Sequence, residues 1–393
     1  MRVLFTSMRV PSHFLPLVPF IDACRKRGHE VAVAAPAELA ERVAATGAEF
    51  LPSAHPGNAA LEPIWKRMRD ASPEDSKQIA IAELFAGALA GAALPSLVEI
   101  MSQWRPAVVV RESQEYAAVV AAEKFGAAHA HVAITAANAE VEGFRRAVPV
   151  LDAHGQSIGL TPDPLGERLL GEPIVTLFPP SLEDPTFEAR PAKRYRAFNP
   201  PPPPLPDWWS GSQAPFVYVT LGTVAGGMQQ MRSAYGVVLE ALRRLPIRAL
   251  LTIGPDLPLE LLGEVPAHVH VERFVPQHEI LPHARAVLCH GGSGSVIGAL
   301  SAGAPMVVAP MFADQMANAE RVGALGAGLG LPKRTEAPAE LERALATVLE
   351  GDSFRVAAQA VAAEIAALPS VDEAALELER LAAQRAASGN VSS

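Results

Sequence analysis

Two periodicities alternate along this chain. Short runs rich in Val, Ala, Leu and Phe give way to longer stretches whose apolar positions recur at helical spacing. In the first half the runs fall at residues 3–7, 30–35 and 107–111, with a further one at 130–134. In the second half they fall at 216–221, 249–253, 269–274, 286–289 and 306–309. Strand runs separated by helical stretches predict βαβ units, and hence parallel sheets. The helix predicted at 17–27 is closed by Gly28.

Five consecutive prolines separate the halves, in the stretch NPPPPPLPDWW at 199–209. Proline donates no backbone hydrogen bond, so this segment predicts an extended, semi-rigid connector. The expected division is a first α/β domain at 1–198, a linker at 199–213, a second α/β domain at 214–370 and a C-terminal helix at 371–393. That last helix has room to pack back on the first domain, and the polar tail beyond about Ala383 reads as frayed. Two such sheets facing each other leave a cleft at the carboxyl ends of their strands, where open α/β sheets bind ligands.

Composition narrows the function. Of 393 residues, 49% are apolar and 19% charged, enough for full cores. A net charge of -9 excludes a nucleic-acid groove, which needs clustered Lys and Arg. Two isolated cysteines, Cys24 and Cys289, suit a reducing compartment, and the cytoplasm is the expected location. The most membrane-like stretch, 84–95, lies between Glu83 and Ser96 and is too short to span a bilayer. A homodimer stays open.

The strongest local chemistry is the stretch AVLCHGGSGSVIGALSA at 286–302. A buried-strand pattern ends at Cys289, His290 follows, and a Gly-Gly-Ser-Gly-Ser turn opens a helix. Glycines let the backbone approach a ligand, and N–H groups at a helix start point towards it. This order predicts a phosphate site, with Ser295 and His290 adding charge-assisted bonds; the alternative is a glycine-rich turn without a ligand. A literal G-x-S-x-G at 155–159 precedes Pro162 and Pro164, so no nucleophile elbow follows it. No D-x-D pair and no His/Cys cluster with metal-ligand spacing occurs, so neither metal nor cofactor is expected. His129 and His131 read as structural.

The segment from Phe274 to Asn318 resembles the nucleotide-sugar signature of the large glycosyltransferase family that includes plant secondary-metabolite and bacterial antibiotic glycosyltransferases. The resemblance extends to the opening strand, Leu221-Gly222-Thr223 and the PLPDWW approach, and is weakest over 53–97. It implies the GT-B architecture of two facing Rossmann-like domains, with the donor bound mainly by the second. It places Phe274 against the base with Val275 and Gln277 beside it. His290, Gly292, Ser293, Gly294 and Ser295 match the diphosphate loop, and Thr223 matches a hydroxyl reaching the phosphates. Asp314 and Gln315 match the pair that holds donor-sugar hydroxyls, with Asn318 one turn beyond.

The stretch SHFLPLVP resembles the family's G-H-x-x-P-L-x-P, which makes His13 the base that deprotonates the acceptor. Its acid partner matches Glu112, with Glu115 the weaker candidate. Gly298 stands where many uridine-diphosphate-sugar members carry a Glu on the ribose, which favours a thymidine-diphosphate sugar; the alternative is a packing role for Gly298. Trp65, Met68, Phe85 and Leu89 suit a hydrophobic, polyketide-like acceptor, or equally a core cover. The implied function is inverting, metal-independent transfer of a (deoxy)sugar to a natural product. The alternatives are a uridine-diphosphate-sugar glucosyltransferase, a nucleotide-sugar epimerase or hydrolase, and a non-catalytic auxiliary protein of the same fold.

Overall fold

The computed structural model describes residues 1–389 except 189–190, 198–199, 210, 224–226, 228–231 and 333–335. The chain divides into two compact units: Met1–Phe178 with Thr186–Phe198 and Pro369–Ser393, and Pro179–Pro185 with Asn199–Leu368. The expected boundary at 198/199 lies outside the described residues.

The first unit is built on β1 (Arg2–Thr6), β2 (Glu30–Ala35), β3 (Glu49–Pro52), β4 (Val108–Glu112), β5 (Ala128–Ala133), β6 (Ile174–Thr176) and β7 (Ala192–Arg194). All pair in parallel, in the order β3-β2-β1-β4-β5-β6-β7. The central strands carry unbroken apolar runs because helices cover both faces, which is the pattern parallel sheets require. Val3 pairs with Val31 on one side and Val108 on the other, and all three are buried. Chain order reverses between β1 and β4, so loops leaving those two strands diverge and open a crevice at their carboxyl ends.

The second unit contains β8 (Phe216–Thr220), β9 (Arg248–Thr252), β10 (Val269–Glu272), β11 (Ala286–Cys289), β12 (Met306–Val308) and β13 (Gly328–Gly330). They are parallel in the order β10-β9-β8-β11-β12-β13, which puts the corresponding crevice between β8 and β11. Cys24 in the first unit and Cys289 in the second are buried thiols, both pushed up to about 12 by burial.

Four short strands, β3, β6, β7 and β13, were not expected; β6 is wholly β-branched, Ile-Val-Thr, but only three residues long. The C-terminal helix Ala374–Gly389 belongs to the first unit, where Ala375 and Leu378 join the core with Phe20 and Cys24. A Ser370–Glu373 capping box starts this segment. The expected fraying beyond Ala383 does not occur within the described residues. Arg385 bonds Glu123 at 2.8 Å and the carbonyl of Gly126 at 3.3 Å, which fixes the last turns.

The expected linker is also less independent than its composition suggests. Trp208 stacks on His270 at 4.5 Å, and the Trp209 indole N–H donates to the His268 carbonyl at 3.0 Å. These aromatic anchors seat the end of the proline segment on the second unit. The stretch at 84–95 is likewise part of something longer. Pro73–Trp104 is one helical run of 32 residues, by length and composition enough to cross a membrane, with 33% of its apolar window buried. Pro95 does not end it, because Leu94, Leu97 and Met101 pack one face into the core and outweigh the cost of the lost hydrogen bond.

Candidate functional site

His13 sits where β1 hands over to its first helical turn, Pro11–Phe14. Pro11 pre-sets the backbone of that turn, and the buried Phe14 pins it to the core. The side chain is 16% exposed. Its Nδ1 lies 3.0 Å from Oε2 of Glu112, the last residue of β4. The two residues that the resemblance pairs thus leave adjacent strands at the first unit's crevice, 99 positions apart in sequence.

Glu112 is fully buried and held in place. It accepts the Gln114 backbone N–H at 2.8 Å and the Met8 N–H at 3.4 Å. A carboxylate facing Nδ1 selects the tautomer protonated there, which makes Nε2 the basic nitrogen. The extra methylene of Glu over Asp does not keep the carboxylate from the imidazole.

Glu115 is not the partner of His13. Its Oε2 accepts from Thr6 Oγ1 at 2.7 Å and from the Ala118 N–H at 3.3 Å, and its Oε1 accepts the Ala117 N–H at 3.1 Å. It therefore caps the helix Ala117–Phe125 instead. Burial pushes its carboxyl up to about 7 from 4.5, with Thr6 pulling the other way and Glu112 adding to the rise. Between those two values the folded protein keeps a proton that the unfolded chain has lost. Stability present at pH 4.5 therefore drains away as pH rises through 7, by about 3 kcal/mol in all. Glu115→Gln has no proton to lose. Urea unfolding should show the variant gaining on the wild type by that order between pH 4.5 and 8; a constant difference would contradict the assignment.

A pocket in the same unit runs from Ser7 and Met8 past Phe85, Leu89 and Leu97 to Glu115 and Tyr116. Phe85 and Leu89 lie on the π-helical stretch Ile79–Leu89 of the long helix. Trp65 and Met68, grouped with them on sequence, ride on the helix Asn58–Asp70 and do not line this pocket. Loops were expected over 56–97, but the helix Asn58–Asp70 and the Pro73–Trp104 run occupy most of it.

In the second unit β11 ends at Cys289 and the glycine turn follows at once. Gly291 has φ +91°, closed to other residues without strain, and Gly292 caps the helix Ser293–Ser301. In that first turn the Ser295 N–H donates to the Gly292 carbonyl at 3.0 Å, which leaves the Ser293 and Gly294 N–H groups as the helix-start donors. The His290 ring lies between two glycines. A Cβ on Gly222 or on Gly292 would come within 2.7 or 2.5 Å of its Nε2. Burial pushes its pKa down to about 4, and its Nδ1 has no hydrogen-bond partner among the described residues. At neutral pH this imidazole is uncharged, so the charge-assisted bond expected from it becomes an ordinary N–H donor.

Of the other expected donor-site residues, Gln277 and Asp314 bond directly to this turn. Thr223 follows β8, beside β11 in the sheet. Phe274 is 55% exposed after β10, while Val275 is buried. Gln277 donates to Ser295 Oγ at 3.4 Å. Ser293 Oγ donates to Asp314 Oδ2 at 2.7 Å, tying the serine of the turn to the expected sugar-binding acid.

Gln315 departs from expectation. Its side-chain oxygen accepts the Met311 and Phe312 N–H groups at 2.8 and 3.1 Å, so it shapes the loop before Asp314 instead of offering that oxygen to a sugar. Asn318, undervalued on sequence, is buried and donates to the Gly291 carbonyl at 2.9 Å and to Asp314 Oδ2 at 3.2 Å. Its place four residues after Asp314, on the same helix face, was the available signal. Gly298 has a packing reason of its own, since a Cβ there would meet Leu281 Cδ1 at 3.0 Å.

Residues 22–222 match the family described as Erythromycin biosynthesis protein CIII-like, N-terminal domain, and residues 237–381 match its C-terminal domain. The chain is 31% identical to L-demethylnoviosyl transferase of Streptomyces niveus, covering 98% of each. It is 29% identical to aklavinone 7-beta-L-rhodosaminyltransferase of Streptomyces galilaeus, covering 98% of this chain and 97% of that one. Among solved structures it resembles spinosyn rhamnosyltransferase SpnG complexed with thymidine diphosphate, at a TM-score of 0.80 and 25% identity over 96% of this chain and 100% of that one. Matched along nearly its whole length, the chain belongs to the erythromycin biosynthesis protein CIII-like family, the natural-product glycosyltransferases of GT-B fold.

Proposed function

We propose that this glycosyltransferase is inverting and metal-independent, moving a deoxysugar from thymidine diphosphate to a hydroxyl of a hydrophobic, polyketide-type acceptor. The observation that carries the reading is the 3.0 Å approach of His13 Nδ1 to the buried Glu112 carboxylate at the first unit's crevice. His13 Nε2 takes the acceptor's hydroxyl proton as that oxygen attacks the anomeric carbon. The bond from that carbon to the donor phosphate breaks, and the diphosphate leaves with the electron pair. One base and one displacement invert the anomeric centre.

Departure of the diphosphate relies on the turn at 290–295. The N-terminus of Ser293–Ser301 contributes roughly 0.3–2 kcal/mol towards an anion, and His290, Ser295 and Thr223 are the nearby donors. Asp314 is the acceptor for donor-sugar hydroxyls, and Phe274 with Val275 and Gln277 meets the base. Metal independence rests on the absence of a D-x-D pair from the sequence. The acceptor's apolar body is assigned to the pocket of Phe85, Leu89 and Leu97. Buried cysteines are in keeping with a cytoplasmic enzyme.

Preference for thymidine diphosphate draws on the relative whose structure holds that nucleotide and on Gly298 standing where a ribose-binding Glu would be, a position where a Cβ would also press on Leu281 Cδ1 at 3.0 Å. Calorimetric titration in a chelator should show thymidine diphosphate binding at least about tenfold tighter than uridine diphosphate, a difference of ~1.4 kcal/mol. Equal affinities, or a requirement for a divalent cation, would overturn the donor assignment. A product-mass screen of aglycones with one active donor then identifies the acceptor.

A further inference from the structure

We infer that Arg111 is a positioning residue for the His13–Glu112 pair, acting through the backbone of the turn that follows β4. The inference rests on His13 and Glu112 being the catalytic pair. Arg111 precedes Glu112 on β4 and is 1% exposed, an unusual place for a guanidinium. Its Nη1 donates to the carbonyls of Glu112 and Ser113, at 3.0 and 2.7 Å. Its Nε and Nη2 both donate to Glu172 Oε2, at 2.9 and 2.6 Å. One planar group thus ties the two backbone carbonyls beneath the catalytic carboxylate to a fully buried anion.

The anion is itself braced. Glu172 faces His129 Nδ1 at 2.8 Å and His131 Nδ1 at 3.2 Å, both on β5. His129 Nε2 meets Glu123 at 3.0 Å, and burial is more than offset by these carboxylates, which raise His129 to about 9. His131 Nε2 meets Glu140 Oε2 at 2.9 Å, and Glu140 also accepts from Ser113 Oγ, back in the turn after β4. Tyr116 and Phe144 pack against the guanidinium, 5.6 and 5.1 Å from its carbon.

A buried charge cluster of this kind is a poor way to gain stability, since well-packed apolar side chains of similar volume serve as well or better. What it supplies is direction. An apolar residue at 111 could not hold two carbonyls in fixed orientations, and those carbonyls set where Glu112 leaves the strand. Displacements of about 1 Å at a catalytic group cost on the order of 100-fold in rate.

Arg111→Lys keeps the positive charge beside Glu172 but gives up the planar fork that serves the anion and two carbonyls together. Expected in the variant is a kcat about 10–100-fold lower, with KM for the donor and affinity for thymidine diphosphate unchanged. The acidic limb of the kcat/KM profile should also move to lower pH, because an imidazole that loses its carboxylate protonates less readily. Unchanged kcat and an unmoved limb, with only a lower Tm, would reduce Arg111 to a structural residue and overturn the inference. Should Arg111→Lys not fold, Glu172→Gln decides alone, with a smaller displacement of the limb in the same direction expected and none contradicting. His13→Ala separates the two readings. If it retains turnover, the catalytic pair itself is wrong; if it is inactive while Arg111→Lys behaves as wild type, only the role of Arg111 falls.

Discussion

Replacing His13 by alanine should lower kcat for a hydroxyl acceptor by about 10²–10⁴, roughly 3–5 kcal/mol of barrier, and leave thymidine diphosphate affinity within twofold. The range is that of a positioned general base, and neither carboxylate beside it substitutes for it. Glu112 is fully buried and already accepts two backbone N–H groups, while Glu115 is committed to Thr6 and the start of Ala117–Phe125. The alanine variant also leaves Glu112 without one of its donors, at a stability cost of about 1–3 kcal/mol. His13→Gln tells the two effects apart. An amide restores a donor to the carboxylate but accepts no proton, so stability should recover while rate does not. Steady-state kinetics with thermal unfolding reads both, and a glutamine variant that turns over like wild type would remove His13 from the chemistry.

Gly291→Ala should be the most disruptive single-methyl change in the phosphate turn. With φ at +91°, a side chain is strained whatever the room, and the added Cβ would sit 2.6 Å from Val308 Cγ1 and 3.0 Å from the Gln315 carbonyl oxygen. Backbone strain of about 1–3 kcal/mol adds to overpacking of about 1–3 kcal/mol, a large share of the ~5–15 kcal/mol that holds a typical protein folded. Donor affinity should fall at least tenfold as the turn shifts.

Gly294→Ala is the instructive contrast. A Cβ there meets nothing within 4 Å, and in a helix alanine is favoured over glycine by up to about 1 kcal/mol. Folding should therefore be unharmed, yet nucleotide binding should weaken, because the proposed phosphate site occupies that open space. Urea unfolding and calorimetry on both variants would show it. A Gly294→Ala protein with full nucleotide affinity would mean that the ligand does not close on this turn.

Much of this was legible from the chain. Uninterrupted apolar runs in β1, β2 and β4 stood out because strands covered on both faces have no polar side to present. The turn at 290–295 was legible because a strand, a histidine and closely spaced glycines are local in sequence. His13 and Glu112 could be paired through the resemblance, although their contact spans 99 positions. β13 escaped because its sequence, Gly-Leu-Gly, carries no strand propensity. Its glycines are enforced by packing instead: a Cβ on Gly328 would sit 1.9 Å from the Met306 carbonyl oxygen. Arg111 escaped for a related reason. Its meaning lies in Glu172, 61 residues away, and no periodicity relates a strand arginine to a glutamate that precedes another strand. The segment Pro179–Pro185 goes with the second unit although it interrupts the first in sequence, since contacts such as the Ser181 N–H to Glu364 at 2.9 Å decide its place.

The anomeric configuration of the first-formed product bears most directly on the central claim, that a base at His13 drives a single displacement at the sugar. Proton NMR of the product, set against the known configuration of the thymidine-diphosphate donor, reads it without ambiguity. Inversion, lost together with turnover in His13→Ala, is the predicted result. A product with retained configuration would require a covalent or front-face route that a lone imidazole base does not provide, and would contradict the account.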